Sequence, residues 1–154
     1  MAHEQHGSPL LRHINDDPAL WAEMWDRQVD LGCIPYYMFI ARDTGAQHYF
    51  SVPLVRAWEI FREAYQRVSG LCRTVRGPSM SANPGKVQVL GASEGKGEKV
   101  LVLRFLQGRN PDWVTEPLHV SPGTYSTEQK RALTLLADVL HKWEEEQQGQ
   151  LPAI

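Results

Sequence analysis

The chain has 154 residues, of which 42% are hydrophobic and 22% are charged, and its formal net charge is −2. This length suits one domain with a sizeable core, and the near balance of charges indicates no basic face for nucleic acid. Its two cysteines are too few for a disulfide scaffold, and no apolar run reaches the roughly 18 residues of a membrane span. Because the N-terminus also lacks the apolar run of a secretory signal, we expect a cytoplasmic protein that binds neither nucleic acid nor membrane.

The first half of the chain alternates strand and helix signals. A weak strand candidate, "SPLLRHI", runs into "NDDP", where Asp17 as N-cap and Pro18 at the first helical position predict a helix over about residues 18–31. The apolar run Cys33–Ala41 is typical of a parallel strand buried on both faces. A second helix is expected over about residues 53–70, and a short strand, "CRTV", then precedes a loop. The strand–helix–strand order favours parallel pairing in an α/β fold.

The hydrophobic period changes in the second half of the chain. The segments "KVQVL" and "KVLVLRFL" flank "GASEGKGE", which predicts an antiparallel hairpin with a long tip. The following "RNPDWVTEPLHVSPGTY" is irregular. Ser126 and Gln129 then form a capping-box pattern that opens a last helix.

Three segments of the chain resemble the C-terminal part of the lysine 2,3-aminomutase family: "SPLLRHINDD", "IPYYMFIARDTGAQHYFSVPL" and "TVRGPSMSANPGKVQVL". The resemblance covers about residues 8–114, with the same order and spacing of segments. Members of this family are radical S-adenosylmethionine enzymes that also use pyridoxal phosphate. The resemblance implies an α/β fold made of the last βα units of a partial (β/α) barrel, followed by a β-hairpin extension and a C-terminal helix. We expect divisions at residues 1–76, 77–115 and 116–154.

The cysteine triad C-x-x-x-C-x-x-C, which holds the [4Fe–4S] cluster in the family, is absent, and Cys33 and Cys72 stand far apart. The resemblance therefore implies a C-terminal fragment or subunit of an aminomutase. The cluster and S-adenosylmethionine would belong to a separately encoded N-terminal half or to a longer parent chain. The alternative is a non-catalytic α/β module that binds a protein partner or a small anion. Whether this chain takes part in catalysis stays open at this stage.

A single lysine ends the turn-rich stretch "TVRGPSMSANPGK". In the family a lysine after a glycine-rich loop binds the aldehyde of pyridoxal phosphate, and Lys86 after Gly85 occupies the matching place. Such chemistry requires an amine that loses its proton and reaches the cofactor. The loop here is longer and less glycine-rich than the family's "PGGGGK". The alternative is an exposed lysine that opens a hairpin strand.

The resemblance also implies substrate contacts at strand ends. Residues just past the carboxyl ends of barrel strands face the active site, which selects Arg42 and Asp43 after the second strand and Arg76 after "CRTV". Lysine-specific members carry an aspartate at the positions that fall here on Arg42 and Arg76. Because guanidinium groups suit carboxylates, we expect a substrate amino acid with an acidic side chain. The alternative is that both arginines are surface residues or pair with nearby acids. We expect no metal site, because the cysteines that hold zinc in some members are missing.

Overall fold

A computed structural model describes residues 4–41, 46–82, 85–95, 98–109 and 117–120 of the chain. These residues form a six-stranded sheet whose strands lie side by side in chain order. The strands are β1 (Gln5–Leu10), β2 (Ile34–Ile40), β3 (Arg76–Ala82), β4 (Gly85–Gly95), β5 (Glu98–Gly108) and β6 (Pro117–Val120). The helices are α1 (Pro18–Asp30), α2 (Gln47–Phe50) and α3 (Leu54–Arg67), followed by a 3₁₀ turn over Gly70–Cys72.

The sheet is parallel at one end and antiparallel at the other. Strands β1, β2 and β3 pair in parallel, with α1 in the first crossover and α2 and α3 in the second. From β3 onward each strand pairs antiparallel with the next. The predicted parallel pairing of the first strands and the predicted hairpin of "KVQVL" with "KVLVLRFL" are therefore confirmed. The predicted long tip of this hairpin is wrong, because β4 and β5 remain paired as far as Gly95 and Glu98.

The predicted fold class, the end of a partial (β/α) barrel with an appended C-terminal helix, is wrong. A barrel needs further parallel strands, each reached through a crossover of a dozen or more residues. Here only residues 83 and 84 separate β3 from β4, so β4 must return antiparallel and the sheet stays open within the described residues. The helix predicted from Ser126 lies outside those residues. The division of the chain after residues 76 and 115 stays a prediction.

Helices α1 and α3 pack together on one face of the sheet and build the core. Local signals explain α1, because the Asp17 carboxylate accepts a hydrogen bond from the Ala19 amide at 2.8 Å and Pro18 needs no amide partner at the first position. The Trp21 side chain is fully buried, and its indole N–H donates to the Asn15 carbonyl at 2.7 Å. In the described part of the chain, no helix is long and apolar enough to cross a membrane.

The face of the sheet opposite α1 and α3 is referred to below as the second face. Met38, Ile40, Met80, Val87, Val89, Leu101, Leu103 and Phe105 belong to the helix-covered core. Side chains alternate along a strand, and the Lys86 side chain lies over the rings of Tyr37 and Phe39. We therefore assign Tyr37, Phe39, Ser81 and Lys86 to the second face.

Candidate functional site

Lys86 lies on the second face as the second residue of β4. It is opposite Ser81 on β3 and Gln107 on β5, so it belongs to a continuous antiparallel ladder. The loop predicted before it is wrong, because "RGPSMSA" forms β3 and leaves only two residues between the strands. Gly, Pro and Ser have low strand propensity, but packing between two neighbouring strands overrides it.

The backbone geometry at position 85 explains why a glycine precedes Lys86 in the sequence. Its φ of +154° is rarely adopted by residues with side chains. A Cβ atom built there would lie 1.9 Å from the Gln107 carbonyl oxygen on β5. The close approach of two backbones therefore requires glycine at this position, independently of any ligand.

Aromatic rings surround the Lys86 ammonium group. Its Nζ lies 4.3 Å from the ring centroid of Tyr37 and 5.6 Å from that of Phe39. Among the described residues no carboxylate forms an ion pair with it, and the side chain is half-buried. Gly7 on β1 makes room for this arrangement, since a Cβ there would approach the Phe39 ring to 2.5 Å. A cation held over an aromatic ring is stabilised by about 0.5–2 kcal/mol.

Tyr36 joins this aromatic group because β2 is bulged. The pairing of β1 with β2 passes from Pro35 directly to Tyr37 and skips Tyr36. The Tyr36 and Tyr37 rings consequently lie 4.2 Å apart instead of pointing to opposite faces. The hydrogen bond with Tyr37 raises the pKa of Tyr36, while the positive charges of Arg76 and Lys86 oppose this shift. Periodicity predicts an ordinary buried strand here, and only the adjacent tyrosines in "IPYYMFI" hint at the bulge.

Arg76 lies beside the tyrosine pair. Its guanidinium carbon lies 5.4 Å from the ring centroid of Tyr36. The strand predicted over "CRTV" is wrong, because Gly70–Cys72 is a 3₁₀ turn and Arg76 opens β3 instead of following a strand. Arg76 therefore lies at the amino end of its strand. The residues that face the active site of a barrel lie at the carboxyl ends of the strands, so the reason for selecting Arg76 does not apply. Arg42 and Asp43 lie outside the described residues, so the structure tests neither.

These side chains form a group that we call the aromatic–basic cluster, which consists of Tyr36, Tyr37, Phe39, Arg76 and Lys86. Arg76 lies over the Tyr36 ring and Lys86 over the Tyr37 ring, and no aspartate or glutamate of the described residues forms an ion pair with either. Such a surface can pack against a planar ring and attract an anionic group. Within the same described ranges, no three His, Cys, Asp or Glu side chains come together as metal ligands would.

Comparison with known proteins finds one distant relation and no matching family model. Over 105 residues the chain is 29% identical to a protein of Aquifex aeolicus (strain VF5) named "Putative L-lysine 2,3-aminomutase". The aligned part is 68% of this chain but only 27% of that protein. The chain thus spans about a quarter of the relative's length, and the similarity supports a distant aminomutase relation.

Proposed function

We propose that this chain is the cofactor- and substrate-binding C-terminal portion of a lysine 2,3-aminomutase-like protein, in which Lys86 binds pyridoxal phosphate. The distant relation to a protein of that name supports the class. The observation that carries the assignment is the position of the Lys86 ammonium, which lies half-buried on the second face beside aromatic rings. That environment places an amine beside a flat apolar surface.

The residues of the aromatic–basic cluster fit the parts of this cofactor. The half-buried rings of Tyr36 and Phe39 can pack against a pyridine ring, and Ser81, the register partner of Lys86, offers a hydroxyl donor. The Arg76 guanidinium suits a phosphate or carboxylate group. When bound, pyridoxal phosphate supplies an aldehyde that holds the amino group of a substrate.

Proton transfer at Lys86 decides whether this lysine can react. Only the free amine attacks an aldehyde, so Lys86 must leave the Tyr37 ring and give up a proton before it reacts. The neighbouring Tyr36 hydroxyl has a raised pKa. It therefore stays protonated at neutral pH and serves as a hydrogen-bond donor, not as a base.

The proposed substrate is an amino acid with an acidic side chain, contacted by Arg42, Asp43 and Arg76. The positive charge of Arg76 within the aromatic–basic cluster supports this choice, because it would repel the side-chain ammonium of lysine. The [4Fe–4S] cluster and S-adenosylmethionine would be supplied by a separately encoded N-terminal half or by a longer parent chain. Measuring the turnover of glutamate and of lysine by the reconstituted whole enzyme tests this substrate assignment. A clear preference for lysine would exclude an acidic substrate.

Borohydride reduction of the folded chain with pyridoxal phosphate tests the cofactor site directly. Peptide mass mapping should find the label at Lys86, and Lys86→Arg should abolish it, because a guanidinium keeps the charge but does not condense with the aldehyde. Lys99→Ala, which removes a lysine from the neighbouring strand β5, should leave the labelling unchanged. Labelling spread evenly over several lysines, or absent from a folded chain, would overturn the assignment and favour a non-catalytic binding module.

A further inference from the structure

A groove with a volume of about 490 Å³ lies between α3 and the strands β3 and β4. This volume lies within the range of small-molecule sites in proteins. Four arginines line it, and the described lining contains no aspartate or glutamate. They are Arg62 on α3, Arg73 before β3, Arg76 at the start of β3 and Arg104 on β5. Lys86 is not part of the lining, so the groove is distinct from the proposed cofactor site, and Arg76 lies on their border.

Two of these arginines are oriented by neutral partners. The Arg73 Nε–H donates to the carbonyl oxygens of Tyr65 and Val68, each at 3.0 Å. The Arg104 Nε–H donates to the Gln88 side-chain oxygen at 2.9 Å. These acceptors carry no charge, and no carboxylate of the described residues pairs with either arginine. The guanidinium groups are therefore held in place with their charge uncompensated and their terminal NH₂ groups available to a ligand.

One wall of the groove is aromatic and belongs to α3. The rings of Trp58 and Phe61 are stacked, with centroids 5.8 Å apart and planes 28° apart. The Tyr65 ring continues the wall at 5.1 Å from Phe61. Trp58 and Tyr65 are only half-buried, so their rings remain accessible from the groove. A flat ring of a ligand can stack on this wall while its anionic part reaches the arginines.

We propose that this groove binds a small molecule that carries a planar aromatic ring and a phosphate group, in the class of the nucleoside phosphates. Phosphate oxygens match the fork of N–H donors that an oriented guanidinium presents. The aromatic wall supplies the second half of the recognition. This binding function goes beyond the proposed cofactor role, because it uses residues of α3 and β5 that the aromatic–basic cluster does not contain.

Isothermal titration of the full chain with ADP at low salt tests the proposal. Arg62→Gln and Arg104→Gln should each weaken ADP binding about tenfold or more, the loss expected for a charge-assisted hydrogen bond. Arg56→Gln is the matched control, because Arg56 is also on α3 but pairs with Glu59 at 3.3 Å and does not line the groove. It should change the affinity by less than about twofold. The test does not depend on the cofactor assignment, because Lys86 does not line the groove.

Adenosine and inorganic pyrophosphate separate the two halves of the recognition. Adenosine should bind far more weakly than ADP, because it lacks the anionic group, and pyrophosphate should bind more weakly because it lacks the ring. Failure of ADP to bind the folded chain would overturn the proposal. Equal weakening by Arg56→Gln and Arg62→Gln would also overturn it, since that result indicates non-specific attraction. Pyrophosphate binding as tightly as ADP would leave the aromatic wall without a role and contradict the assigned ligand class.

Discussion

The thiol of Cys72 shows how a single residue links distant parts of the chain. It donates a hydrogen bond to the Asp26 carboxylate on α1 at 3.0 Å and is only 3% exposed. Burial raises the pKa of this thiol, the hydrogen bond to Asp26 raises it further, and the Ser69 hydroxyl partly opposes the shift. The thiol therefore acts as a neutral donor that ties the turn after α3 to α1.

This contact predicts a pH-dependent stability. A thiol with a raised pKa binds its proton more tightly in the folded state than in the unfolded chain. Its contribution is therefore complete below the unfolded-state pKa and decreases as the pH rises above about 8.5 toward the folded-state pKa. Urea unfolding of the wild-type chain should show a lower free energy of unfolding at about pH 9.5 than at about pH 7.5. Cys72→Ala should reduce this difference.

Cys33→Ala is the control for this experiment, since Cys33 is only half-buried and makes no comparable contact with a carboxylate in the described residues. It should retain the pH dependence of the wild type. Loss of the pH dependence in Cys33→Ala, with its persistence in Cys72→Ala, would contradict the assignment.

At the scale of elements, α1 is the part of the fold that local sequence predicts best. The N-cap at Asp17, the proline after it and the spacing of apolar residues predict a helix over 18–31, and the helix runs from Pro18 to Asp30. Strand β3 is the opposite case. Its sequence contains Gly, Pro and Ser, and it becomes a strand because β2 and β4 pair with it on either side. Helix ends depend on neighbours in sequence, whereas strand membership depends on neighbours in space.

The N-cap of α1 gives a prediction at this scale. Asp17→Ala removes the acceptor of the Ala19 amide hydrogen bond and should lower the free energy of unfolding by about 1 kcal/mol. Glu23→Ala, which removes an exposed residue of the same helix with a 3.9 Å ion pair to Arg27, should cost less than about 0.5 kcal/mol. Chemical denaturation followed by circular dichroism measures both. Equal losses would show that the cap does not contribute specifically.

At the scale of the whole molecule, one core spans the parallel and antiparallel parts of the sheet. Leu10 on β1 and Leu103 on β5 belong to the same buried cluster, although the predicted division after residue 76 would separate them. Buried residues of α1 and α3 belong to the same cluster. We therefore expect the described part of the chain to unfold cooperatively.

Two core substitutions test this cooperativity. Leu10→Ala and Leu103→Ala should each lower the free energy of unfolding by about 2–5 kcal/mol and shift one common transition, observed by both tryptophan fluorescence and circular dichroism. Leu71→Ala, at a side chain that is 76% exposed, should have little effect. If each core variant shifts a different transition, the two parts of the sheet are separate units and the division after residue 76 is supported.

The sequence alone determined the features that depend on residues close together in the chain. These are α1 with its cap and the β4–β5 hairpin. The tertiary structure decided which strands pair and which side chains meet. Only the fold shows that β4 returns antiparallel, that the Tyr36 ring lies against the Tyr37 ring, and that Arg76 and Lys86 lie over these two rings. The physical reason is that backbone pairing and ring contacts join residues far apart in sequence, which periodicity does not encode.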